Sequence, residues 1–261
     1  MENTFSPIIL LGGTGMILVA LGFLAYAIVR RLGWKYLIFG ALLWFGTVAV
    51  KFALAIPFNS TVYRTLTGGA KEGIGVLVFD LYVGTLTGLT EVLIVFLVLR
   101  YSRWGKVEWN RALAFGIGFG AFEALLLGIG SLTTMLVVML APQSLPAEAL
   151  SQFRLAENVL FSIAPIVERF FTIWVHILSN VLLFYAVVIK QVRWFWLAFV
   201  YKSLIDAWAA WGQLAGMTAT AEQVWVLEIV VILWGVIGWL GTRWVQARYP
   251  NVTPEVSHAV V

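Results

Sequence analysis

The sequence predicts an all-α membrane protein, a bundle of seven transmembrane helices with the N-terminus outside and the C-terminus inside. Three observations carry this expectation. Hydrophobic residues make up 61% of the 261 and charged residues 11%, with mean hydropathy +0.93, whereas a soluble domain has about a quarter charged residues. Seven stretches approach or exceed the roughly 20 apolar residues that cross the hydrocarbon. Basic residues concentrate in alternate connections, which orients the spans.

The spans fall at about 7–29, 36–57, 73–99, 112–140, 165–189, 194–216 and 223–244. The first is preceded by MENTFSP, with Glu2 and no basic residue, and is followed by Arg30 and Arg31. That order is the reverse of a cleavable signal peptide, so the first run is expected to be a retained helix. The 1–2 connection holds Arg30, Arg31 and Lys35, and the 3–4 connection Arg100, Arg103, Lys106 and Arg111. Lys190 and Arg193 follow span 5, and Arg243 and Arg248 end the last span. The opposite side carries Arg64 and Lys71 in one connection, Arg154 in the next and none in the 6–7 connection. Trp34, Tyr36, Tyr101, Trp104, Trp194, Trp196, Trp244 and Tyr249 accompany the basic side as an interfacial belt.

One transmembrane domain, 1–261, accounts for the whole length. The longest connection, 142–164, reads as a short outer interfacial helix over 144–162: Ser144 is its N-cap, Pro146 sits in its first turn, and Leu150, Phe153 and Leu160 form its apolar face. Pro165 is expected to kink the chain or separate this helix from span 5. The tail after Pro250 is expected to fray. Cysteine is absent, which excludes disulfides, thiolate metal sites and cysteine nucleophiles. The net charge of +4 reflects orientation and not nucleic-acid binding, because the basic residues lie between apolar spans. The expected partners are the lipid bilayer, a membrane protein or peptide substrate, and a partner in a membrane complex.

Five ionisable groups interrupt the apolar spans: Glu91, Glu123, His176, Lys202 and Asp206. Such groups are expensive in hydrocarbon and point to function or to pairing. Counted from the cytoplasmic ends, all five lie 9–13 residues in, roughly 14–20 Å deep at about 1.5 Å per residue. Lys202 and Asp206 are four apart and share a face of span 6. Arg169, His176 and Asn180 share a face of span 5. Gly84 and Gly88 precede Glu91, and Gly116, Gly118, Gly120 and Ala121 precede Glu123, so close helix packing is expected beside both carboxylates.

The layer can be read in two ways. Glu91 or Glu123 activates a water as general base, while His176 or Lys202 donates to the oxyanion of an attacked peptide carbonyl. Equally, Lys202 and Arg169 neutralise the acids and lock the helices together. Metal and cofactors are expected to be absent. There is no HExxH, the second histidine, His258, lies in the tail, and no spacing singles out His176 with two glutamates as a zinc site. Ser179 and Ser203 read as helix-packing serines. Lys51 and Asp80 are assigned to the outer half of their spans as helix pairing or vestibule, and Glu228 to the outer end, facing water.

Four ordered segments resemble the motifs of the YhfC-like family of membrane peptidases. In span 3 a GxFEExxR-like pattern reads Gly88-Leu-Thr-Glu91-Val-Leu-Ile-Val95. In span 4 GFGHGGIEA reads Gly116-Ile-Gly-Phe119-Gly-Ala-Phe-Glu123-Ala124. In span 5 an ERxxxxxxHxxLS-like pattern reads Glu168-Arg169-Phe-Phe-Thr-Ile-Trp-Val-His176-Ile-Leu-Ser179, one residue shorter between the histidine and the serine. In span 6 HxxxD reads Lys202-Ser-Leu-Ile-Asp206. The resemblance covers spans 3 to 6, about half the chain. It implies kinship with CAAX-processing type II proteases, PrsW and the scaffold subunit of gamma-secretase, a superfamily of glutamate-dependent intramembrane proteases. It also implies a bacterial or archaeal plasma membrane.

The departures bear on activity. Val92 stands at the second glutamate of the family's pair, Val95 at its arginine, and Phe119 and Lys202 at two histidines. A charged Lys202 beside Glu91 would keep that glutamate ionised but occupied. The expected function is therefore a metal-independent glutamate-type intramembrane peptidase with a partly degenerate site and reduced activity. Glu91, Glu123, His176, Lys202 and Asp206 are its catalytic candidates, and Arg169 and Asn180 its substrate-binding or structural ones. The alternative is a catalytically inactive relative that serves as a membrane scaffold or partner-binding subunit. A proton-coupled transporter ranks below both, since no inverted repeat or broken-helix pair is visible.

Overall fold

The computed structural model describes residues 5–70, 72–146, 150 and 153–251. Among these, all regular structure is helical, as the composition predicts. A 3₁₀ turn, Pro7–Leu10, capped by Ser6, leads into α1 (Leu11–Val29). There follow α2 (Trp34–Thr67), α3 (Ile74–Thr87), a π-helical segment (Gly88–Leu93) and α4 (Ile94–Tyr101). The chain continues through α5 (Trp109–Leu140), α6 (Val159–Val188), α7 (Arg193–Leu214) and α8 (Ala221–Gln246).

Taking α3, the π segment and α4 as one rod, there are seven long rods among the described residues, and six are long and apolar enough to cross a membrane. The seventh is α7, which carries Lys202 and Asp206. The protein is a multi-pass membrane protein. Apolar side chains such as Leu18, Leu42, Phe45, Leu233 and Trp239 cover its outside, the arrangement a lipid solvent favours.

Helix α6 is the central post. It is buried almost continuously from Ile173 to Ala186 and packs against α1, α4, α5, α7 and α8. Helix α2 packs on α5 and α3, and α3 packs on α7. Glycines set the closest approaches. A Cβ at Gly84 would collide with the Ser203 carbonyl oxygen of α7, and one at Gly120 would lie 2.9 Å from His176 Cβ on α6. The glycines before the two glutamates thus let α3 and α5 approach the helices that carry the site's cations and histidine.

Several boundaries differ from the sequence expectation. Helix α2 does not stop near residue 57; it continues through Pro57 to Thr67, so Arg64 lies on a helix and not in a connection. Pro165 does not separate two elements, because α6 begins at Val159 and runs through it. Pro165, past the first turn, gives up one i→i−4 hydrogen bond, and Asn158 caps the N-terminus by accepting from the Leu160 N–H at 2.9 Å. Within 144–162 the described residues form a 3₁₀ turn ending at Ser144, helical positions at Leu150 and Phe153 that pack against Phe5, Ile9, Val138 and Ala156, a 3₁₀ turn at Arg154–Glu157 and the start of α6. Residues 147–149, 151 and 152 of the expected interfacial helix lie outside the described residues, as do Lys71 and His258.

The aromatic residues expected near the basic connections cluster together. Tyr36 meets Trp104 edge-on at 5.1 Å, Trp109 meets Tyr249 at 5.6 Å, and Trp194 meets Trp244 at 5.2 Å.

Candidate functional site

Glu91 is on the π segment of the third rod and is 4% exposed. A π turn re-aims the side chains that follow it, and such segments are frequent at functional sites. Here it is flanked by Gly88, where a Cβ would strike Ser203 Oγ and the Phe199 ring on α7. Close contact with α7 and the widened turn together hold the Glu91 carboxylate inside the bundle. Lys51 Nζ of α2 lies 3.2 Å from Oε1 and donates a hydrogen bond to it, and Lys202 Nζ of α7 lies 3.5 Å from Oε2. Glu91 Oε2 is buried and accepts no hydrogen bond.

Glu123, on α5, has both oxygens occupied. Oε1 accepts from Arg169 Nη1 at 2.7 Å. Oε2 accepts from Trp44 Nε1 at 2.8 Å, and His176 Nε2 lies 2.9 Å from it. His176 is buried on α6, with its ring 5.3 Å from that of Phe119. Arg169 also pairs with its neighbour Glu168. Asn180 donates to the His176 carbonyl at 2.9 Å, holding the helix beneath the imidazole.

Asp206 completes the cluster without touching either glutamate. Its Oδ2 accepts from Lys202 Nζ at 2.7 Å, and its Oδ1 lies 3.7 Å from Lys51 Nζ. Ionic contacts therefore link α2, the π segment and α7 on one side, and α5 with α6 on the other. The two halves meet where Glu91, Glu123 and His176 each offer a ligand atom, all within 4.8 Å of one another. One imidazole and two carboxylates match the donor chemistry of a catalytic zinc site. Ligand atoms about 2 Å from a tetrahedral zinc lie about 3.3 Å apart, so the three side chains would have to draw together by roughly 1–1.5 Å.

All five residues predicted from the sequence thus converge, with Arg169 against Glu123 and Asn180 on the backbone below. Ser179 donates to the Val175 carbonyl at 2.7 Å, as a packing serine does. Two residues of the cluster were not recognised from sequence. Lys51 pairs with Glu91 and Asp206, not with Asp80, which is buried with neither oxygen partnered. Trp44 binds Glu123. The two are seven residues apart on α2 and share a face with buried Thr47. Glu228 is also corrected: it is 6% exposed, not facing water, and its Oε2 has no partner.

A groove of about 880 Å³ runs between α1 and α8 along α5 and α6. Ile177 and Trp174 line it, and no residue of the charged cluster does.

A family model described as YhfC intramembrane metalloprotease matches residues 15–231, from α1 into α8. The match extends well beyond the four segments that carry the resemblance in sequence. No curated protein and no solved structure matches the chain.

Proposed function

The chain belongs to the YhfC intramembrane metalloprotease family, and from that premise we propose that it hydrolyses peptide bonds of membrane-embedded substrates at the Glu91–Glu123–His176 cluster. One observation carries the proposal: three buried or half-buried side chains from three separate helical rods bring ligand atoms within 4.8 Å of one another. A lock made only of ion pairs would not need the imidazole among them.

The roles follow from the contacts. With no ion at the cluster, Glu91 Oε2, without a hydrogen-bond donor, is the oxygen placed to accept a proton from an attacking water; with an ion bound it would serve as ligand instead. Lys202 Nζ, 3.5 Å from that oxygen, is the donor placed to meet the negative charge that develops on the carbonyl oxygen. Arg169 and Trp44 fix Glu123 from two directions, which in turn orients the His176 imidazole. Asp206 positions Lys202. The family's description includes a metal, unlike the metal-independent chemistry expected from sequence. Glu91, Glu123 and His176 would hold such an ion, and it would supply water activation and polarisation of the carbonyl. The cellular location that suits this function is a bacterial or archaeal plasma membrane.

The test is proteolysis of a library of single-span peptides in liposomes, with wild type, Glu91→Gln and Glu123→Gln, each with zinc and with chelator. Cleavage by wild type that falls at least about 10²-fold in both variants supports the assignment. Cleavage that survives both substitutions would move the chemistry elsewhere. A second reading is favoured by Lys51 and Lys202 on Glu91: a non-catalytic subunit whose charged layer is structural, to which absence of cleavage by every form would point.

A further inference from the structure

Glu91 faces two ammonium groups, one at each carboxylate oxygen. Both ammoniums also face Asp206, again one at each oxygen. The four groups form a closed square of two acids and two cations drawn from α2, the π segment and α7. A metal ion about 2 Å from Glu91 Oε2 would lie within about 5–6 Å of Lys202 Nζ, where repulsion between a dication and an ammonium in a buried site is strong. The metal and the lysines therefore compete for the same carboxylate.

We propose that Lys51 and Lys202 act as a built-in cation that occupies Glu91 when no metal is present, so that metal loading requires both ammoniums to withdraw onto Asp206. This rests on the metal reading of the Glu91–Glu123–His176 cluster given above. Asp206 is then a positioning residue, a second carboxylate already in place to receive both lysines. Lys202 is already 2.7 Å from it, against 3.5 Å from Glu91, so its withdrawal breaks only the longer contact. Lys51 has to shift further, exchanging 3.2 Å to Glu91 for its present 3.7 Å to Asp206. The Lys51 side chain is 22% exposed, which leaves it more room to move than Lys202 at 8%. The arrangement makes the metal-free protein a stable, closed state and not a bundle with naked acids, and it makes metal occupancy conditional on divalent-ion concentration.

The experiment titrates chelator-stripped, detergent-purified full chain with cobalt(II), following visible absorption and metal per chain by elemental analysis. Wild type, Lys51→Met and Lys202→Met are compared, with His176→Ala as the control for the site. Monodisperse elution establishes which variants fold. Lys51→Met keeps the test open should Lys202→Met strand the buried acids and fail. The expected result is one cobalt per chain, lost in His176→Ala, with each folded lysine variant binding at least about tenfold tighter than wild type. Equal or weaker binding by the lysine variants overturns the competition while leaving the metal site standing. No binding by wild type or either lysine variant overturns the metal reading, and the inference with it.

Discussion

Lys51 and Glu91, 40 residues apart in sequence, meet at 3.2 Å in the middle of the bundle. This contact ties α2 to the π segment and makes α2 part of the candidate site. A double-mutant cycle with Lys51→Met, Glu91→Gln and the combined variant, followed by thermal unfolding in detergent with chelator, isolates its energy. The expected coupling is about 0.5–3 kcal/mol, the range for groups in one ionic network. Additive single effects would mean that the contact is without energetic consequence.

Arg169 is 8% exposed and bridges Glu123 and Glu168. Its removal leaves Glu123 Oε1 inside the bundle without its guanidinium, and the partly exposed Glu168 without its partner. Arg169→Met is therefore expected to destabilise by about 3–5 kcal/mol, the cost of breaking a buried pair from one side. Arg169→Lys keeps the charge but not the planar fork that spans two carboxylates, so its unfolding temperature should fall between those of wild type and Arg169→Met. An unfolding temperature for Arg169→Met equal to that of wild type would show the network to be decorative.

The helical fold was legible because lipid imposes a simple rule: an apolar run of about 20 residues must be a helix. The ends were less so. The expected second span ends near Pro57, and Pro165 reads as a kink or a break, yet both prolines lie inside helices. Glu91, Glu123, His176, Lys202 and Asp206 stood out because each is costly in an apolar run. Lys51 was costly too, but counting depth from the end of its span put it in the outer half. The length of a lysine side chain, and the 34 residues of α2, much longer than a perpendicular span needs, bring it to the cluster. Trp44 carried no signal, since a tryptophan in an apolar run is ordinary until its N–H finds a partner. The π segment has no sequence signature here beyond Gly88.

Trp44 is 7% exposed and its indole N–H is one of three donors around Glu123. Trp44→Phe keeps an aromatic ring against Phe122, with which Trp44 packs edge-on at 5.7 Å, and removes the donor. A hydrogen bond to a charged group contributes about 1.5–3 kcal/mol, and the loss should appear as a lowered unfolding temperature. In the liposome assay, Trp44→Phe should lower cleavage without abolishing it, because Arg169 and His176 still hold Glu123.

Close approach of α3 to α7 sets where Glu91 sits relative to Lys202. At Gly84 an added Cβ meets the Ser203 carbonyl oxygen and lies 2.8 Å from Ala207 Cβ. Neither neighbour is the free end of a flexible side chain, so Gly84→Leu must push the helices apart, and overpacking of this kind costs about 1–3 kcal/mol or more. Because Ser203 and Ala207 flank Lys202 and Asp206 in sequence, the shift should weaken the Lys202–Glu91 contact as well. Gly46 provides the contrast: it is an exposed glycine in the middle of α2 with nothing within 4 Å of an added Cβ. Gly46→Ala should raise stability by about 0.5–1 kcal/mol through helix propensity alone. Thermal unfolding of both variants in one detergent gives opposite signs if packing at Gly84 positions the site. A Gly84→Leu protein as stable as wild type would show that α3 and α7 do not need their close contact.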